Sequence, residues 1–221
     1  MTFDACRTAR AVLLLGVGLS ITGCGKETPS GADVPTCPPL ESFPGLAVGS
    51  WWIYERTEWE SQVPDHVYEY MTSVESADSV ASGRVAYRLR EDEHARLLWL
   101  QLVDCELRMY AEDPRTARDY TVPLRTPIET DARWPYSTIS SGGYSLEAQI
   151  VSVTDTLRVP AGTFAGCVHV RVAPYYDTWI SLSDGVVAAE YREIGGDRGW
   201  RDELLEYELE SSPRSTLGAA R

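Results

Sequence analysis

The sequence predicts an all-β domain: one antiparallel, strongly curved sheet, forming an open barrel, a half-barrel or a sandwich-like body. An export signal and a flexible tether precede it. Three observations lead there. Runs of aromatic and β-branched residues recur at roughly 8–12-residue spacing, with short Gly, Pro, Asp and Ser turns between them. Beyond the export signal, no stretch of about ten residues combines 3.6-residue periodicity with helix caps. Strands such as Trp51–Arg56 and Tyr68–Val74 carry large apolar groups on both faces. Such strands are covered on both sides, or one face lines an occupied cavity, and core packing is the simpler reason.

Taken in order, the chain opens with Arg7 and Arg10 ahead of an apolar run from Ala11 to Leu19. That run is far shorter than the ~20 apolar residues that span a bilayer, so it reads as a secretory signal. Leu19-Ser20-Ile21-Thr22-Gly23-Cys24 resembles the bacterial lipobox. The resemblance implies a signal peptide at 1–23, removed before Cys24. It also implies a diacylglycerol thioether on Cys24 and a fatty acid such as palmitate on its amine. Two or three chains anchor stably where one is marginal. Gly25 in place of Asp points to the outer membrane. Residues 24–42 then form the lipidated Cys and a flexible tether. Small, polar and Pro-rich composition, with Pro35, Pro38 and Pro39 close together, keeps it extended. At ~3.3 Å per residue it reaches about 55 Å.

The β-rich domain is expected over 43–211. Its strand patterns are Trp51–Arg56, His66–Val74, Arg84–Arg90, Ala95–Val103 and Cys105–Tyr110, then Tyr144–Val159, Phe164–Val172, Tyr175–Leu182, Val186–Ile194 and Trp200–Leu209. Glu91-Asp92-Glu93-His94 reads as a solvated hairpin loop, and Asp113-Pro114 ends a strand because Pro cannot donate to a ladder. Val159-Pro160-Ala161-Gly162 makes a compact turn. Residues 111–143 are the least regular. Within them, Trp134-Pro135-Tyr136 offers an aromatic plug for a sheet edge or cavity mouth, so Trp134 and Tyr136 mark a candidate ligand or lid region. Residues 212–221 read as a disordered tail.

The formal charge is −13. Loss of Asp4, Arg7 and Arg10 with the signal makes it −14 for the mature chain. That balance argues against nucleic acid and against a broad face for anionic lipid. In an exported compartment a disulfide is expected among Cys37, Cys105 and Cys167. Cys105–Cys167 is the preferred pair and Cys37–Cys105 the alternative. Strand parity opposes the first: Cys105 is in phase with Leu97, Trp99 and Val103, and Cys167 with His169 and Arg171. A bulge would reverse that parity.

Two stretches together resemble a group of uncharacterised bacterial lipoproteins. Phe43-Pro44-Gly45-Leu46…Gly49-Ser50-Trp51-Trp52-Ile53-Tyr54 is similar to their FPL-x-x-G-x-x-W-x-Y opening. Val159-Pro160-Ala161-Gly162-Thr163-Phe164…Cys167 is similar to their VPAGTF-x-x-C signature. Asp184-Gly185-Val186-Val187 stands at their Gly-Val-Gly turn, and Glu203–Tyr207 resembles their closing strand. Gly49-Ser50-Trp51 also resembles the Gly-x-Trp signature of lipocalins. The first resemblance implies a β-rich exported domain and supplies no active site.

No catalytic constellation is legible. His66, His94 and His169 are scattered without metal-ligand spacing, there is no G-x-S-x-G elbow, and Asp184 before Gly185 suits a turn. No metal, no cofactor and no enzymatic activity are expected. The leading expectation is a membrane-tethered binding or scaffolding domain with an envelope protein as partner. The alternative is a carrier of a lipid or other apolar ligand in a barrel cavity, lipocalin-like or half-barrel.

Overall fold

The computed structural model describes residues 37–80, 83–92, 95–138 and 146–210. Cys24 and the tail at 212–221 lie outside them, as do Glu93 and His94. Among the described residues the chain forms thirteen strands: β1 (Trp51–Glu60), β2 (Val63–Ser79), β3 (Val85–Glu91), β4 (Arg96–Val103), β5 (Glu106–Tyr110), β6 (Tyr120–Arg125), β7 (Arg133–Pro135), β8 (Ser137–Thr138), β9 (Glu147–Val159), β10 (Gly162–Val172), β11 (Tyr176–Ser181), β12 (Gly185–Arg192) and β13 (Arg198–Glu208). All belong to one antiparallel sheet in the order β7-β9-β10-β11-β12-β13-β1-β2-β3-β4-β5-β6-β8. The single curved antiparallel sheet expected from the sequence is what forms.

The two ends of that order are neighbours in the chain. β7 pairs with β9 on one side, β8 pairs with β6 on the other, and only Tyr136 separates them. The Tyr136 N–H donates to the Leu146 carbonyl (2.7 Å), while the Tyr136 carbonyl accepts from the Val122 N–H (2.7 Å). One short segment therefore sews the sheet into a nearly closed barrel, which removes most of its exposed edge. The indole of Trp134, 3% exposed, locks the seam by donating from Nε1 to the Val122 carbonyl (2.8 Å).

The seam strands β6, β7 and β8 were not legible in the sequence because prolines punctuate them. Pro123 is tolerated in β6 because the β5–β6 register shifts there, between Leu107 and Met109, so no ladder donor is required of it. The interior face of β4 is Leu98 and Leu100, while Leu97, in phase with Trp99, is exposed. Trp99 turns outward into a small second core with Ala86 and Tyr110, packed against Val80, Ala117 and Tyr120.

The disulfide joins Cys37 to Cys105, not Cys105 to Cys167. Cys105 sits in the turn between β4 and β5, and the end of the expected tether folds onto that turn. Leu40 N–H donates to the Asp104 carbonyl (2.9 Å), and Thr126 Oγ1 donates to the Pro38 carbonyl. The chain thus joins the domain at Cys37, ahead of Phe43. Cys167 is a free thiol with no exposed surface. Register shifts on either side of it, around Gly166 at φ 71°, turn it into the main core.

The motif residues gather at the barrel end where β1 begins. Gly45, at φ 70°, packs so closely on Trp52 that a Cβ there would overlap the indole. Trp52 Nε1 donates to the Asp184 carbonyl (2.9 Å). The Asp184 carboxylate accepts from Ser181 and Ser183 (both 2.6 Å) and from Tyr207 (3.0 Å). Burial works against that charge, but the three hydrogen bonds outweigh it and hold the carboxyl below the usual range. The β9–β10 hairpin folds back toward β13: Ala161 N–H donates to the Leu204 carbonyl (2.9 Å), and the Phe164 ring lies 6.1 Å from that of Tyr207. These residues cap one end of the barrel.

Candidate ligand cavity

Curvature leaves a cavity of about 200 Å³ inside the sheet. Its two walls differ. Leu89, Leu98, Leu100, Leu107 and Met109, from β3 to β5, make one wall purely aliphatic. Tyr54, Tyr70, Thr72, Tyr176, Thr178 and Asp202, from β1, β2, β11 and β13, put hydroxyls and one carboxylate on the other. Phe43 and Leu46 reach it from the capped end, and Tyr136 reaches it from the seam.

The polar wall follows from register. Thr178 on β11 stands opposite Ala189 on β12, Ala189 opposite Asp202 on β13, and Asp202 opposite Arg56 on β1. Directly opposed residues share a face of the sheet, so this row points inward together. Arg56 grips Asp202 with two parallel bonds, Nε to Oδ1 (2.7 Å) and Nη2 to Oδ2 (2.8 Å). The Tyr70 hydroxyl donates to Oδ2 (2.7 Å). The guanidinium lies between the Tyr70 and Trp200 rings, 4.9 and 4.4 Å from their centroids. The two charged side chains are only 12% and 5% exposed.

Burial alone would discharge Arg56; the bonds and field of Asp202 more than offset it, and its pKa is raised. Burial, reinforced by the Asp202 charge, pushes the phenols of Tyr54 and Tyr70 far above the ordinary range. Tyr176 is raised by burial too. At neutral pH the phenols are hydrogen-bond groups only. Both oxygens of the Asp202 carboxylate are thus committed, to an arginine and to a phenol.

A second polar cluster sits on the outer surface. His169 on β10 stacks on Trp179 at 4.5 Å, with Nε2 at 2.7 Å from Asp177 and Nδ1 at 3.5 Å from Asp155. Arg171 also binds Asp177 (2.8 Å), whose pKa is lowered because the bonds from His169 and Arg171 exceed the opposing cost of burial. The cluster ties β9, β10 and β11 together. Among the described residues no group of three His, Cys, Asp or Glu side chains could hold a metal ion.

Of the residues singled out from sequence, Tyr136 lines the cavity, and Trp134 serves the seam beside it. Cys105 and Cys167 lie apart from the polar wall, in a disulfide and in the core. The wall itself was missed, although a signal existed. Arg56 shares strand parity with Trp52 and Tyr54, and Asp202 with Leu204, so each is a charge on an apolar face.

No family model matches this chain, and no curated protein is significantly similar to it. Two solved structures show a weak overall likeness to it. One is a Bacteroides fragilis chain described as exported and of YmcC-like fold, at 12% identity and a TM-score of 0.44, covering 75% of this chain and 98% of that one. The other is a Parabacteroides distasonis chain described as a lipoprotein, at 13% identity and a TM-score of 0.44, covering 78% and 99%. At that distance no residue role passes between them.

Proposed function

We propose that this is a lipid-anchored protein of the bacterial cell envelope, held by Cys24, whose barrel is a non-enzymatic binding module for an apolar ligand. The export signal and lipobox pattern support the anchor and, with Gly25, an outer-membrane address. The observation that carries the binding reading is the interior cavity of about 200 Å³ with its continuous aliphatic wall. A cavity of this kind is larger than the ~150 Å³ apolar void that takes up benzene, and smaller than most drug-sized sites, at roughly 300–1,000 Å³. It suits one ring or one end of a chain. The expected envelope-protein partner has no comparable feature behind it.

Two experiments test the reading. Globomycin should shift the mobility of the wild type and leave Cys24→Ala unchanged, with the variant released into the soluble fraction; a wild type that never shifts sinks the anchor. Native mass spectrometry of the full protein extracted from membranes should show an added small apolar mass. Ala189→Phe, which fills the cavity from a position 4% exposed, should abolish it. A wild type with no adduct, or an adduct that survives in the variant, refutes the binding role.

A further inference from the structure

The two walls say more about the ligand than that it is apolar. We infer that the cavity selects a small neutral amphiphile, an aliphatic body with one uncharged hydrogen-bonding head, and rejects a carboxylate of the same length. This rests on the cavity being the binding site and adds the chemistry of the head group. Leu89, Leu98, Leu100, Leu107 and Met109 offer a body no polar partner, so a head on that side would be desolvated without return. The opposite wall carries Tyr54, Tyr70, Thr72, Tyr176 and Thr178 together with the Asp202 carboxylate, and Thr178 shares the inward row with Asp202, across the small Ala189. Asp202 is already neutralised by Arg56 through paired bonds of 2.7 and 2.8 Å. An alcohol head can donate to or accept from that wall. An anionic head would stand beside a carboxylate whose cation is engaged, inside a low-dielectric space. In volume the site holds a chain of about eight carbons, judged against the ~150 Å³ that accepts benzene.

The test is calorimetric titration of the full chain carrying Cys24→Ala, in detergent-free buffer at about pH 8, with 1-octanol and with octanoate. Octanol should bind at least about tenfold more tightly than octanoate, the scale of one unfavourable buried charge contact. Adding Ala189→Phe should abolish octanol binding, since that side chain fills the cavity. Asp202→Asn should narrow or reverse the preference, because Arg56 then lacks its Asp202 counter-ion and a ligand carboxylate can supply one. Should that variant fail to fold, the comparison of the two ligands on the otherwise native chain decides alone. Octanoate binding as well as octanol overturns the head-group inference and leaves the cavity as a site. Binding of neither, or octanol binding that survives Ala189→Phe, overturns the cavity reading itself.

Discussion

Replacing Trp134 by phenylalanine and by alanine separates the two contributions that side chain makes to barrel closure. The indole is 3% exposed and bonds the Val122 carbonyl at 2.8 Å, with Val122 itself 2% exposed. Phenylalanine keeps most of the packing but leaves a buried carbonyl unsatisfied, which costs about 1–3 kcal/mol. A domain of this size loses about 2–4 °C of Tm per kcal/mol, so Trp134→Phe should melt some 4–8 °C lower for a loss of about 2 kcal/mol. Alanine adds a cavity penalty and should cost about 3–5 kcal/mol or more. Urea unfolding measures both, and hydrogen exchange locates them. Protection should fall first at the amides of Val122 and Tyr136, which carry the seam bonds. The amides of β1 and β2, far from the seam in the sheet order, should keep theirs. Trp134→Phe within about 0.5 kcal/mol of wild type, or protection lost evenly across the sheet, would refute the seam argument.

Four further outcomes are expected. Reducing the Cys37–Cys105 bond, or Cys37→Ala, should lower stability by about 4 kcal/mol at most, from the chain entropy of a 68-residue separation. Cys167→Ala should leave non-reducing mobility unchanged, and a changed mobility would mean a different pairing. Asp202→Ala should cost about 3–5 kcal/mol by stranding Arg56, whereas removing both charges in Arg56→Met with Asp202→Leu should cost less; urea midpoints compare them, and a double variant weaker than the single rejects the pair. The depressed folded pKa of Asp184 makes its contribution complete above the unfolded carboxyl value of about 4, and lost as pH falls through the lower folded value. Asp184→Asn should therefore flatten the acid side of the stability–pH curve, and an unchanged slope would exclude this carboxylate as a source of acid lability.

The sequence alone determined the strand content and most strand positions. Those properties are local: aromatic and β-branched runs favour pleated backbone wherever they lie. The compact turn at Pro160-Ala161 followed from its residues for the same reason. The tertiary structure decided what depends on partners distant in sequence. Barrel closure needs one segment hydrogen-bonded on both sides, and the prolines of 123–135 hid its strands from any local pattern. Cys105 could reach Cys37 or Cys167, and the folding of Leu40 onto the β4–β5 turn chose Cys37. Arg56 and Asp202 lie 146 residues apart and meet only through the β1–β13 register. A charge on an apolar strand face can be seen in a sequence; the neutralising partner that makes it tolerable, and gives the cavity its polar wall, is supplied by the sheet.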